Sequence, residues 1–153
     1  MRLTTFTDYS LRLLLYLAAA PEGRATIAEV AQAYGISANH LVKVAHLLGQ
    51  HGLLNTMRGR GGGLALAQRP EEIRIGRIVR LAEHGDTAPD CLGGACASCK
   101  VVAACRLPRM LAEAMGAFYA VLDAYSLADA MRSPARVAAL LGMPVGAPCR
   151  SPA

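Results

Sequence analysis

Tryptophan is absent from this chain of 153 residues, and phenylalanine occurs only twice. Large aromatic plates therefore cannot organise the interior, so leucine, alanine, valine and isoleucine must fill it. The hydrophobic share is 54%, enough for a sizeable core in one domain of ordinary size, with an extension. Strand-favouring residues are sparse, whereas alanine, leucine and arginine dominate, which argues against an all-β fold and for helices. No long uninterrupted apolar run is present either. Met1-Arg2 followed by Leu11 to Ala20 looks superficially like an export signal. Asp8 and Arg12 interrupt it, the mostly apolar stretch Leu13 to Ala20 is short, and Pro21-Glu22-Gly23 stops it as a helix end would. The expectation is a buried first helix, no membrane span and a cytoplasmic protein. No acid–base or nucleophile set stands out beyond the thiols, so an enzyme is not expected. There are no internal repeats.

What is present begins with charge. The formal net charge of +5 fits a polyanionic partner, although many soluble proteins carry as much. Local signals are sharper. Thr7 is a candidate cap for a helix reaching about Ala20. Thr26 is placed to cap a second helix, Ile27 to Ala33, with Ile27, Val30 and Ala31 on one face. Tyr34-Gly35-Ile36 is a tight turn. Ser37 then reads as the cap of a third helix, about Ala38 to Gln50, with Leu41, Val42, Val44, Ala45 and Leu48 as inner positions and Gly52 ending it. Two helices joined by a short glycine turn form a helix-turn-helix pattern, a weak signal alone. It gains force from Leu53-Leu54 and Leu64-Ala65-Leu66, which read as two short strands. Between them Arg58-Gly59-Arg60-Gly61-Gly62-Gly63 forms a glycine-rich tip with two arginines, so the hairpin reads as a wing.

The third helix then becomes a candidate recognition helix. A helix fits the DNA major groove, and its first turns present side chains to base edges. Ser37, Asn39, His40 and Lys43 are the outward candidates. Asparagine pairs bidentately with adenine, and lysine reaches guanine or phosphate. Arg58 and Arg60 suit a narrow minor groove with its strong negative potential. Read without the wing, the same polar residues are a plain solvated face. The glycine-rich tip lacks the Gly-Lys-Ser/Thr ending of a nucleotide-binding loop.

Further along, Pro70-Glu71-Glu72 reads as the opening of a helix with Ile75, Ile78, Val79 and Leu81 on its apolar face and Gly85 at its end. Asp86 to Ala104 is a loop. A long helix follows, about Leu107 to Ala124. Leu107, Leu111, Ala114, Phe118, Val121 and Tyr125 recur at alternating four- and three-residue steps, a coiled-coil-like seam that serves dimerisation or packing on the chain's own core equally well. Ser133-Pro134 starts a last short helix stopped by Gly142, and Pro144, Pro148 and Pro152 make the rest extended or disordered. The expected organisation is a winged helix-turn-helix over 1–68, a connecting helix and cysteine loop over 69–106, a dimerisation helix over 107–131 and a tail over 132–153.

Cys91, Cys96, Cys99 and Cys105 fall in or beside that one loop, and Cys149 lies apart. Four clustered thiols in a reducing compartment point to a soft or borderline metal, as zinc or an iron–sulfur cluster. Only Cys96-Ala-Ser-Cys99 has the knuckle spacing common in zinc sites. A lopsided ligand set can suit a cluster, whose irons spread the ligands out.

These motifs together have a familiar order. Met-Arg-Leu-Thr-Thr-Phe-Thr-Asp-Tyr-Ser-Leu-Arg at the start, Ser37-Ala-Asn-His-Leu-Val-Lys43, Arg58-Gly-Arg-Gly-Gly-Gly63, Ile73-Arg-Ile-Gly76, Cys99-x5-Cys105-Arg-Leu and Ser126-Leu-Ala-Asp129 resemble the NsrR/IscR regulators, the Rrf-two family, over about residues 1–130. Within it the pattern is most similar to the nitric-oxide-sensing NsrR branch. The resemblance implies a mainly α winged-helix homodimer that represses transcription from a pseudo-palindromic operator. It also implies a 4Fe–4S cluster on three cysteines, which Cys91, Cys99 and Cys105 match, with Cys96 as an extra thiol and alternative ligand. Nitric oxide would attack that cluster, weaken DNA binding and release detoxification genes. Asp8 matches the position from which some family members complete the coordination across the dimer. The histidine that IscR-type members place shortly after the last cysteine has no counterpart in Arg106-Leu107-Pro108, and His84 is remote. An iron-status regulator of the same fold and a zinc-stabilised DNA-binding module are the competing readings.

Overall fold

The first helix, α1 (Thr5–Ala19), starts three residues earlier than the sequence suggested. Its cap is Thr4, whose hydroxyl accepts from the Thr7 amide at 3.2 Å. Thr7, expected as the cap, is instead fully buried. Its hydroxyl, with the Thr4 amide (2.8 Å) and the Thr4 hydroxyl (2.9 Å), donates to Glu83 Oε1. A distant carboxylate thus occupies the Thr7 hydroxyl that sequence alone read as the cap, while Thr4 caps the helix locally. The computed structural model describes residues 3–57, 59, 62–83, 99–101 and 104–143. Among them no helix is long and apolar enough to cross a membrane.

Helix α1 is the centre of the core. Leu13, Leu14 and Leu17 lie on it at 2% exposure or less, against Leu41, Val44 and Leu48 of α3 and Leu53, Ile73, Ile78 and Leu127. Each such leucine contributes about 1.5–3 kcal/mol through burial. Helices α2 (Ile27–Tyr34) and α3 (Ala38–Gln50) form the expected pair. Thr26 and Glu29 close a reciprocal capping box on α2, and Gly35 ends it in the left-handed conformation at φ 63°. Ser37 stands at the cap of α3, but its side chain makes no capping hydrogen bond. Val42, read as an inner position, is 55% exposed. At about 100° per residue it points away from the line through Leu41, Val44 and Leu48.

The hairpin is present as β2 (Leu54–Met57) and β3 (Gly63–Leu66), antiparallel with Leu54 opposite Leu66 and Met57 opposite Gly63. Leu53 lies just before the strand, fully buried. A two-residue strand not foreseen from sequence, β1 (Arg24–Ala25), pairs with the other side of β3, making it central in the order β1-β3-β2. Its brevity gave no alternation to detect.

The segment from Pro70 is not a helix. Residues 70–72 form a turn closed by the Glu72 amide on the Arg69 carbonyl (2.9 Å) and an exposed Arg69–Glu72 ion pair (2.7 Å). Helix α4 (Ile75–Ala82) begins later, because residues 73–75 are taken by another partner. Leu127 donates to Ile73 (2.8 Å) and Ile75 to Tyr125 (3.0 Å), so this strip pairs antiparallel with residues 125–127, just beyond the long helix α5 (Leu107–Asp123). Gly76 lets the two approach, since a Cβ there would lie 3.0 Å from the Asp123 amide nitrogen and closer still to its carboxylate. That carboxylate receives a two-pronged pairing from Arg80, whose guanidinium also lies 4.6 Å from the centre of the Tyr119 ring. No residue of α5 is buried, and Leu107 is about half exposed and Met110 and Val121 more than half. The last helix, α6 (Pro134–Leu140), starts at Ser133 as expected and packs on α1.

The turn after α5 is held by Asp129, whose Oδ2 accepts from the Ser126 amide (2.8 Å) and hydroxyl (2.7 Å). These hydrogen bonds hold the Asp129 carboxyl below its ordinary range. A carboxyl lowered in the folded state stabilises above its unfolded pKa, and the effect is lost as pH falls through the folded value. The thermal midpoint of wild type should therefore exceed that of Asp129→Asn at neutral pH, with the gap closing below about pH 4. A gap independent of pH would leave the ionised form without a role.

Candidate nucleic-acid interface and metal centre

Helix α3 turns one side to the core and the other to solvent. Ser37, Asn39, His40 and Lys43 are all exposed, as the sequence reading required. Ala38, Val42 and His46 are exposed too. On a helical projection Asn39 and His46 lie nearly opposite the centre of the buried side, flanked by Val42 and Lys43. His46 and Val42 were missed from sequence: the first followed no polar run, and the second was absorbed into an apolar pattern. His40 is set towards α1, where its ring lies 6.0 Å from that of Tyr9. Asn39 and Lys43 thus share an open edge, Ser37 is exposed at the helix cap, and His40 also braces the helix.

The wing stands beside this helix in the chain, with β2 following α3 directly. Its edges are fixed by the β2–β3 register, and the Gly62 amide closes on the Gly59 carbonyl (2.9 Å). Arg58 and Arg60, the expected groove contacts, lie outside the described residues.

The cysteine site is described in part. Cys99 and Cys105 are free and half-buried. Cys105 is one residue before Arg106, the cap of α5, and the Ala104 amide donates to the Val101 carbonyl (3.1 Å) between the two thiols. Cys91, Cys96, Cys149 and His84 lie outside the described residues. Among the described residues no group of three or more His, Cys, Asp or Glu converges on one point. Two unbridged thiols in partly accessible positions are nevertheless the donor chemistry that an iron–sulfur cluster takes.

Asp8 lies in the first turn of α1, about half exposed, paired with Arg12 at 3.0 Å. Such an exposed i,i+4 pair contributes only tenths of a kcal/mol, so the carboxylate is easily redirected. Arg12 in turn lies 5.5 Å from the ring centre of Tyr34 at the end of α2. Burial raises the Tyr34 phenol above its ordinary range, and Arg12 opposes the rise. The first turns of α1 therefore touch both helices of the helix-turn-helix pair, through Tyr9 and Arg12. Through Thr4 and Thr7 they also touch Glu83, the last described residue before the cysteine loop.

Known proteins resemble this chain in sequence and in fold. The chain is 44% identical to the HTH-type transcriptional regulator NsrR of Shouchella clausii over 92% of its own length and 95% of that protein's. It is 43% identical to the regulator of the same name from Bacillus subtilis, over 94% and 99% of the two chains. In structure it is similar to T. potens IscR, with a TM-score of 0.67 at 24% identity over 85% of each chain. The oxidized form of Staphylococcus aureus CymR gives 0.66 at 24% identity, over 87% of this chain and 98% of that one. Residues 3–133 match Rrf2, described as an iron-dependent transcriptional regulator. With a family match across most of its length and relatives of this identity, the chain belongs to the Rrf2 family of transcriptional regulators.

Proposed function

We propose that this regulator is a homodimeric repressor that binds a pseudo-palindromic DNA operator and senses nitric oxide through a 4Fe–4S cluster. In this reading Cys91, Cys99 and Cys105 hold the cluster and the partner subunit's Asp8 completes its coordination, with Cys96 the alternative thiol. The name NsrR on relatives 43–44% identical over nearly the whole chain supports the signal. The observation that carries the reading is the position of α1. One short segment carries Asp8, reaches Glu83 at the edge of the cysteine loop, and bears on α2 and α3 through Arg12 and Tyr9.

When bound, the cluster supplies iron that takes up nitric oxide. The chain's own residues do the rest. Cys99 and Cys105 sit at the foot of α5, whose apolar exposed side (Leu107, Met110 and Val121) fits a second copy of the same helix. The strip joining residues 73–75 to 125–127, and the Arg80–Asp123 pairing, fix that helix to α4. A change at Asp8 is thereby felt by α3 through contacts of packed side chains. Asn39 and Lys43 face the major groove, and Arg58 and Arg60 reach phosphates or the minor groove.

Protein made without oxygen should contain about four iron and four sulfide per chain. Nitric oxide should bleach it while abolishing a DNA gel shift. Colourless protein with stoichiometric zinc would favour the zinc-stabilised module. DNA affinity that follows iron supply but ignores nitric oxide would favour the iron-status regulator, a reading that the family's description as iron-dependent keeps in play. The interface itself is tested by salt. Lys43→Ala and Arg60→Ala should each weaken operator binding and reduce the slope of log affinity against log salt by about 2, one phosphate contact being lost from each subunit of the dimer. An unchanged slope for both would remove them from the phosphate contacts.

A further inference from the structure

The outward side of α3 is polar except at Ala38 and Val42, and Val42 is the larger and 55% exposed. It follows Asn39 by three residues and adjoins Lys43, so it occupies the same edge that faces DNA in the functional reading above, on which this inference rests. We propose that Val42 is a base-reading residue whose isopropyl group packs against the C5-methyl of thymine in the major groove.

The chemistry is selective. Of the groups displayed on the major-groove edges, the thymine methyl is the apolar one, and the others are hydrogen-bond donors or acceptors. A β-branched side chain in a helix has one dominant χ1 rotamer, so Val42 presents its methyls in a fixed direction with little entropy to lose. Ala38, four residues earlier, lies on the same side and adds a small apolar neighbour. Asn39, three residues before Val42, is the residue type that pairs with the N6 and N7 of adenine. Asn39 and Val42 together are suited to adjacent A·T pairs, one read through its adenine and one through its thymine. A lone exposed valine on an ordinary surface has no such consequence, and the difference can be measured.

The test uses the full-length, cluster-loaded protein. A duplex is first selected from a random pool, and each thymine is then replaced in turn by deoxyuridine, which keeps the base pair and the O4 acceptor but lacks the methyl. Wild type should lose about fourfold in affinity at one or two positions per half-site, the value of one buried methyl group. Val42→Ala, which removes the contact from both half-sites, should bind the thymine duplex about sixteenfold more weakly, fourfold for each half-site, and be indifferent to uracil at those positions, with its thermal midpoint unchanged because the site is exposed. Val42→Ala that keeps the full uracil penalty at every position, or binds the thymine duplex as tightly as wild type, would overturn the proposal. Failure of wild type to select any duplex is a separate result: it overturns the DNA-interface reading, and this inference with it.

Discussion

Replacing Cys105 with alanine should yield a folded protein that retains almost no iron. Loss of one thiolate from a three-thiolate set leaves a cluster too few ligands to hold it. The fold does not depend on this side chain. Cys105 is half-buried, outside the leucine core, and it makes no disulfide. Helix α5 starts at Leu107 with Pro108 in its first turn and no side-chain cap, so its start draws nothing from the thiol. The far-ultraviolet circular dichroism and thermal midpoint of Cys105→Ala should therefore match those of the metal-free wild type. The same experiment sorts the other thiols. Cys91→Ala and Cys99→Ala should behave like Cys105→Ala, whereas Cys96→Ala should keep its iron and sulfide. Full iron content in Cys105→Ala would dismiss the proposed ligand set. Loss of iron in Cys96→Ala with retention in Cys91→Ala would exchange those two residues.

The parts of the fold legible in sequence were those specified by local chemistry. The Thr26 cap and the Gly35 terminus set α2, and Ser133-Pro134 set α6. These signals act within four residues. The parts that were not legible depend on distant partners. Thr7 had the composition of a cap, but Glu83 across the fold took its hydroxyl and left Thr4 at the helix end. Pro70-Glu71-Glu72 had the composition of a helix start, but the strip against residues 125–127 delayed α4 to Ile75. Strand β1 has only two residues, too few for any periodic signal. At the site, the exposed residues of α3 followed from helical spacing once the core positions were known. Val42 was misread because a Leu-Val-x-Val-Ala run, interrupted only by Lys43, hides which side each apolar residue faces. Gly76 was noticed as part of a motif, and its reason appears only with Asp123 beside it.

The hairpin is where a single methyl group should do the most damage to the fold. Gly63 opens β3 between β1 and β2, with φ at 157°. A Cβ there would stand 2.8 Å from the Ala25 carbonyl oxygen and 3.2 Å from its carbon. Both are backbone atoms of the strand paired with β3, so neither can swing aside as a side-chain tip could. Gly63→Ala therefore combines a disfavoured backbone conformation with a collision, at a cost on the order of 3 kcal/mol. For a chain of this length that lowers the thermal midpoint by roughly 6–12 °C. Gly59 supplies the control, because its φ is 96° but nothing lies within 4 Å of a Cβ built there. Gly59→Ala should lose only the conformational part, about 1 kcal/mol. Equal losses for the two variants would show that contact with Ala25 carries no weight. Relief of the collision requires β3 to move away from β1, and β2 and the Arg58–Arg60 tip are attached to β3. Gly63→Ala should then bind DNA more weakly even at temperatures where it is fully folded, because in the proposed interface the hairpin paired with β1 carries the DNA-contacting tip.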